Sequence, residues 1–532
     1  MPSSLLKKNL DLFQKVSQSP TLPRAGVQAA RFDVADLYQG PVTLEETQAA
    51  AVELDEKLRQ AYFWIVNHAI ISPFYDIEYS DKPAPSFQFG DLKTPLRLPS
   101  AQSYSSYVLM PLLTLAVRRR CLLVGGPGRG KTAIAILMGV LAGSTLREVK
   151  RAIQHGQPQM TIADLLGTPL PSSLVNAQDM EQVKISWRRW LGMRVKIIDE
   201  YNRIPTRTQS ALLTVMADNY AELYDQIYDC PEAAWYLTAN DDAGGGTYQV
   251  IEALRDRIDV VVKALHFNPR FLGELLARIE EEIRPEEVVP PQIIFTEEEL
   301  SRMNKEVLAV QLSPELRRRL AFFASQFELC EEAGAQFEYK TKDTVKLAGV
   351  DFSALPENSG RDLVKDLGSQ TRNGLSVRAL MTSLVYVKAM AYFRGRSEVS
   401  FEDVRQILPF VLHDKLVQNP DSPFFDKPGH HLFRVDKISW IRNLFDLSCA
   451  EYDRLGGEKG DAVLLLEQSF ERGLDGLHEA DVRKRMVEIE QLLASWTTGR
   501  KLYGPMFDDV LKLKYLHQRY TNYLTWLQWK GR

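Results

Sequence analysis

A parallel α/β sheet giving way to a long helical region is the fold class this 532-residue sequence predicts, and three observations predict it. Cys121–Val124 is a short apolar run that leads straight into a glycine-rich loop and then an apolar helix, Ala133–Leu141. The apolar runs Val195–Ile198 and Ala234–Thr238 are separated by stretches of helical spacing, and strands alternating with helices imply parallel pairing. After about Asp259 the strand signal fades, and the chain reads as helix, with breaks, to its end.

Residues 1 to about 40 mix Pro, Ser and charge, and no element is assigned there. Thr43 with Glu46 makes a capping box, and Leu54, Leu58, Ala61, Tyr62 and Ile65 keep helical spacing to about Asn67. Pro83, Pro85, Pro95 and Pro99 mark an extended linker before a helix over Tyr107–Arg119. Beyond the sheet, the acidic stretches Glu280–Glu287 and Glu297–Glu299 read as solvated surface. The segment from about Leu329 to Arg372 interrupts the helices, and its Phe337, Tyr339, Val345 and Leu347 around Lys342 and Asp343 predict a hairpin. Helical text resumes at Val377. In the tail, Val482, Met486, Ile489, Leu493 and Trp496 form one stripe, and Leu516, Tyr520, Tyr523 and Leu527 another. The expected units are an N-terminal helical and extended region (1–100), an α/β domain (101–265), a helical domain with an insertion near 329–372 (266–414) and a C-terminal helical extension (415–532).

Hydrophobic residues make up 45% of the chain and charged residues 25%, which excludes a disordered, collagenous or disulfide-scaffold protein. Sixty-five Lys and Arg against 69 Asp and Glu leave a net charge of −4, so no global basic excess points to nucleic acid or an anionic membrane. Cys121, Cys230, Cys330 and Cys449 are too far apart in sequence for a zinc-ligand spacing and read as reduced, buried thiols. The first residues lack the apolar core of a signal peptide, and the longest apolar stretches, Val108–Val117 and Ala133–Ala142, fall short of the about 20 residues a membrane span needs. A cytoplasmic protein without a membrane span is expected.

The loop Gly125-Gly126-Pro127-Gly128-Arg129-Gly130-Lys131-Thr132 fits GxxxxGK[ST], the phosphate-binding pattern. Glycines let the backbone wrap closely around a phosphate with its N–H groups pointing inward, and the positive end of the following helix adds to the attraction. Lys131 offers a charge to the β and γ phosphates, and the Thr132 hydroxyl is a Mg²⁺ ligand. Such a loop needs a second strand ending in a carboxylate. Val195–Ile198 followed by Asp199-Glu200 supplies it, with Asp199 beside Mg²⁺ and Glu200 acting on an attacking water. ATP and Mg²⁺ are therefore the expected ligands. Asn240 ends a third strand and is placed to hold the water or the γ-phosphate, although an Asn before Asp241, Asp242 and three glycines is also an ordinary turn starter. Arg255, Arg257 and Arg378 carry no assignment one by one.

Taken in order, these pieces resemble an AAA+ ATPase of the helix-2-insert branch. Asp199-Glu200-Tyr201-Asn202-Arg203 with Arg207-Thr208-Gln209-Ser210-Ala211-Leu212-Leu213 is similar to the DEINR and RTQSALL signature of the MoxR family. Asp164-Leu165-Leu166-Gly167-Thr168 resembles its DLLGT segment, and Gly246-Thr247-Tyr248 with Glu252-Ala253 and Asp256-Arg257 its GTY, EA and DRF run. Ser376-Val377-Arg378-Ala379 and Glu402-Asp403-Val404-Arg405 resemble its helical lid. The resemblance covers about residues 100 to 415. It implies a P-loop AAA+ parallel sheet flanked by helices, followed by an all-helical lid. It implies Asn240 as sensor 1, Arg257 as an arginine finger reaching a neighbour's nucleotide and Arg378 as sensor 2, in a homo-oligomeric, typically hexameric ring. It further implies a chaperone-like motor that remodels or matures a protein complex, together with a von Willebrand factor A domain partner. A metal-chelatase motor is the rival; a nucleic-acid motor and a non-hydrolysing scaffold stand behind it, the net charge and Glu200 arguing against them.

The chain departs from that pattern. Asp241 follows Asn240 where the family commonly has Pro, Ile258 replaces Phe, and Arg255 is a second candidate for the finger. Lys184-Ile185-Ser186-Trp187-Arg188-Arg189-Trp190 falls in the helix-2-insert region, where its tryptophans either contact a substrate protein or pack within the domain. In the tail, Tyr503, Phe507, Tyr515, Tyr520, Tyr523, Trp526 and Trp529 alternate with Lys512, Lys514, Arg519 and Lys530, a pattern that fits a bundle core first and nucleic-acid stacking or docking second.

Overall fold

The computed structural model describes residues 53–70, 74–79, 85–90, 96–100, 102–176, 183–240, 252–264, 272–280, 284–350, 366–455, 462–474, 476–497 and 502–530. The Thr43–Glu46 capping box and the residues that follow Asn240 lie outside them. Helix α1 (Leu54–Trp64) buries the apolar face its spacing announces. The described parts of the region around the proline-rich stretch are paired: Ile77–Tyr79 lies antiparallel to Gln102–Tyr104, and Ser86–Phe87 to Leu96–Arg97. Helix α2 (Ser106–Val117) keeps Pro111 in its interior, and the Pro111 carbonyl accepts the Tyr236 hydroxyl at 2.8 Å.

Five parallel strands follow: β1 (Arg120–Val124), β2 (Gln154–His155), β3 (Val195–Asp199), β4 (Ala234–Ala239) and β5 (Val260–Lys263), in the spatial order β5-β1-β4-β3-β2. Every residue of β4 is buried, as expected of a strand with neighbours on both edges and elements on both faces. Sequence reading identified β1, β3 and β4 but placed the end of the sheet too early, because Val260–Lys263 is only four residues long. A short apolar run of that kind does not separate strand from helix by periodicity. The edge strand β2 has no apolar pattern at all.

Around the sheet lie α3 (Lys131–Leu141), α4 (Thr206–Asp218) and α5 (Glu252–Arg257). A helical layer follows, built from α6 (Glu297–Ala309), α7 (Pro314–Ser325), α8 (Val377–Phe393), α9 (Phe401–Leu412) and α10 (Lys437–Arg454). One continuous core runs from Leu54 through α2, one face of the sheet and α8 to Cys449. A second core covers the other face of the sheet. Polar ties fix the helical layer to the sheet: buried Asp259 accepts the Arg120 N–H at 2.9 Å and the Thr382 hydroxyl of α8 at 2.7 Å. All four cysteines are free and buried.

The predicted hairpin of the insertion is corrected. Phe337–Tyr339 forms a 3₁₀ turn and Lys342–Leu347 a short helix, whose first turn is capped by the Thr341 side chain accepting from the Thr344 N–H. Buried Lys342 and Val345 are three residues apart, a helical spacing, and the Lys342 ammonium donates to the Gly368 and Thr371 carbonyls. Residues 351–365 of that insertion lie outside the described residues. The stripes of the tail close a third core among α11 (Ala462–Glu471), α12 (Glu479–Trp496) and α13 (Gly504–Lys530), in which Tyr520 is buried against Phe470. Tyr515, Trp526 and Trp529 of the same helix are exposed.

Among the described residues no helix is long and apolar enough to cross a membrane, and no cluster of three His, Cys, Asp or Glu forms a metal site. In the segment Lys184–Trp190, Trp190 is fully buried, edge-on to Trp235, with its indole N–H donating to the Leu165 carbonyl at 2.6 Å. Trp187 packs against Tyr228.

Candidate active site

The site forms where β1, β3 and β4 end side by side. Between β1 and α3 the chain turns through Gly128 and Gly130, at φ +73° and +75°, conformations that oppose a Cβ. At Gly125 a Cβ would come within 2.7 Å of the Ala264 carbonyl. Lys131, at the first turn of α3, is buried; its ammonium donates to the Gly125 carbonyl, to the Gly126 carbonyl at 2.8 Å and to Asn240 Oδ1 at 2.9 Å. Arg129 reaches across Gly126 to the Ala264 carbonyl (2.9 Å), and the Tyr107 hydroxyl donates to the Arg129 carbonyl (3.0 Å). Pro127 is exposed at the loop's tip.

At the end of β3, Asp199 Oδ1 accepts two hydroxyls, Thr132 Oγ1 at 2.8 Å and Thr238 Oγ1 at 2.6 Å, and Oδ2 lies 3.3 Å from His155 Nδ1. Glu200 leaves the strand in the left-handed region (φ 53°, ψ 47°), unusual for a residue with a Cβ. Its Oε1 accepts from Asn240 Nδ2 at 2.9 Å, and its Oε2 pairs with Arg203 at 3.2 Å. Asn240 therefore bridges Lys131 and Glu200 through the two ends of one amide.

The structure brings Lys131, Thr132, Asp199, Glu200 and Asn240 into one connected cluster. It does not bring the arginines there. Arg257 Nη1 donates to Ala253 within α5, Arg255 pairs with Asp414, and Arg378 of α8 pairs with Asp256 at 2.7 Å, one residue from Arg257. Among the described residues, neither Arg257 nor Arg378 has a polar contact with Lys131, Thr132, Asp199, Glu200 or Asn240. Thr238, His155 and Arg203 are partners of the acidic pair that the sequence reading did not assign. Thr238 is a lone Thr inside the apolar run Ala234–Ala239, which by itself carries no assignment.

The residues fit a nucleotide with Mg²⁺. The glycine turn lies at the N-terminus of α3, which favours phosphate, and the Thr132 hydroxyl beside a carboxylate is the hard oxygen pair that Mg²⁺ takes. Comparison with known proteins agrees. Residues 120–260 match the model of the ATPase family associated with various cellular activities, and residues 368–429 match its lid domain. The chain has the AAA+ ATPase domain architecture.

The AAA+ core is 25% identical over 315 residues to Chaperone MoxR1 of Mycobacterium tuberculosis, covering 58% of this chain and 71% of that protein. It is 25% identical over 338 residues to Protein MoxR of Paracoccus denitrificans, covering 58% and 83%. With the uncharacterized protein YeaC of Bacillus subtilis it shares 24% over 319 residues, 59% and 83% of the two chains. A candidate ATPase from Cytophaga hutchinsonii, known by crystal structure, overlaps 63% of this chain and 88% of its own at 19% identity and a TM-score of 0.43, a likeness too loose to add to the fold.

Proposed function

We propose that this AAA+ chain is an ATP-hydrolysing ring motor of MoxR type that remodels or matures a protein complex. The observation that carries the reading is the convergence of Lys131, Thr132, Asp199, Glu200 and Asn240 at the ends of three adjacent parallel strands. The backbone N–H groups of the loop between Gly125 and Thr132, Pro127 excepted, would hold the β and γ phosphates, and the Lys131 ammonium would exchange its two loop carbonyls for phosphate oxygens. Thr132 and Asp199 would hold Mg²⁺, which would supply charge neutralisation of those phosphates. Glu200 takes the proton of the attacking water, and Asn240 releases its hold on Glu200 and Lys131 to orient that water.

Arg257 acts as an arginine finger on a neighbouring protomer's nucleotide, and Arg378 serves as sensor 2. The Arg378–Asp256 pair, and Lys415 donating to the Ile258 carbonyl at 2.7 Å, tie the lid to the segment carrying Arg257, so both arginines travel together. An arginine supplied in trans stabilises transition-state charge only when subunits abut, which couples turnover to assembly. A hexamer, a von Willebrand factor A partner and a cytoplasmic setting complete the proposal; the relative named as a chaperone supports the motor reading.

The test is a Glu200→Gln chain used as bait. It retains ATP binding, loses turnover by on the order of a hundredfold or more, and captures the client complex together with a von Willebrand A protein. Undiminished turnover contradicts the role of Glu200; recovery of a porphyrin-chelatase subunit contradicts the proposed client class.

A further inference from the structure

The Asp199–Glu200 peptide is gripped from both flanking strands by residues outside the nucleotide-binding pattern. In a continued strand Glu200 would share a face with Ile198, which is buried in the core beneath the sheet. The left-handed turn at Glu200 takes its side chain off that face and toward Asn240 and Arg203. That turn removes the Glu200 N–H from the ladder. On the β4 side it is met by a side chain: Thr238, fully buried one step beyond the last β3–β4 pair, accepts the Glu200 N–H at 2.9 Å and donates the same hydroxyl to Asp199 Oδ1 at 2.6 Å. On the β2 side, Gly156 follows the His155–Asp199 pair and donates its N–H to the Asp199 carbonyl at 2.7 Å. A Cβ at Gly156 would sit 2.2 Å from the Glu200 carbonyl oxygen, so a side chain there is incompatible with the turned peptide.

We infer that Thr238 and Gly156 are positioning residues: they clamp the Asp199–Glu200 peptide in its left-handed turn and so aim the Glu200 carboxylate. One hydroxyl sets both acids at once, fixing the Asp199 carboxylate through its proton and the Glu200 backbone through its lone pair. The inference rests on the reading of Glu200 as the residue that acts on water, but the clamp itself has a readout independent of hydrolysis.

The experiment combines ATP turnover, ATP affinity and backbone amide hydrogen exchange on the full chain. In the unsubstituted protein the Glu200 amide is protected, although it lies beyond the end of the strand; an amide that exchanges like an open loop overturns the clamp. Thr238→Val, which keeps the shape and removes the hydroxyl, speeds Glu200 amide exchange and lowers kcat by about tenfold or more with ATP affinity little changed. Thr238→Ser restores both. Gly156→Ala, which attacks the clamp from the other strand, reproduces the Thr238→Val pattern. Normal kcat and normal Glu200 protection in Thr238→Val contradict the inference. Glu200→Gln separates the two failures: if it hydrolyses normally, the reading of Glu200 falls, while amide exchange still decides the clamp. If it is inactive and Thr238→Val is normal, the clamp alone falls.

Discussion

Asn240 is the residue on which the site's geometry turns, because its amide accepts from Lys131 and donates to Glu200. A neutral amide does this without repelling either charge, whereas Asp would repel Glu200 and lose the donor. Asn240→Ala is expected to keep ATP binding and lower kcat on the order of a hundredfold, measured by calorimetry and steady-state turnover; normal turnover rejects the sensor role. Lys131→Ala removes the loop cation that is held against Asn240 at the end of β4, and loss of measurable ATP binding is the expected outcome by the same calorimetry. The loop and the acidic pair were legible in the sequence because phosphate chemistry constrains glycine, lysine and carboxylate to adjoining strand ends. Thr238 and Gly156 were not, because a lone Thr and a lone Gly acquire meaning only when the strands that carry them are set side by side.

Among the elements, the hairpin Tyr220–Leu223 and Gln226–Asp229 turns through Tyr224 and Asp225, both at positive φ, with no glycine. Its geometry is that of a tight two-residue turn which favours Asn-Gly, so the sequence carried no hairpin signal. Replacing Tyr224→Asn and Asp225→Gly together should stabilise the chain by about 1 kcal/mol, seen as a higher Tm; a lower Tm would mean that the exposed Tyr224 ring packs on something the turn serves. The insertion was misread for a related reason. Alternating aromatic and aliphatic residues suggested strands, but the Thr341 side chain caps the first turn of a short helix instead, and the Lys342 ammonium ties that helix to the Gly368 and Thr371 carbonyls. Apolar stripes over three or more turns, as in α12 and α13, were read correctly, because long periodicity leaves few alternatives.

Among the described residues, three cores divide the labour: one joins the helix Leu54–Trp64, one sheet face and the lid, one covers the other sheet face, and one closes the tail. Tyr520→Ala empties the centre of the third and is expected to cost about 3–5 kcal/mol locally, exposing residues 462–530 to limited proteolysis while ATP binding persists. Hydrolysis is proposed to occur at the seam between protomers. Arg257→Ala and Glu200→Gln chains, each inactive alone, are mixed and ATP turnover is measured. A seam that pairs the intact Glu200 of an Arg257→Ala protomer with the intact Arg257 of a Glu200→Gln protomer is complete, so activity should return to about a quarter of the unsubstituted level at equal mixing. No recovery in co-assembled rings would contradict hydrolysis across a shared seam.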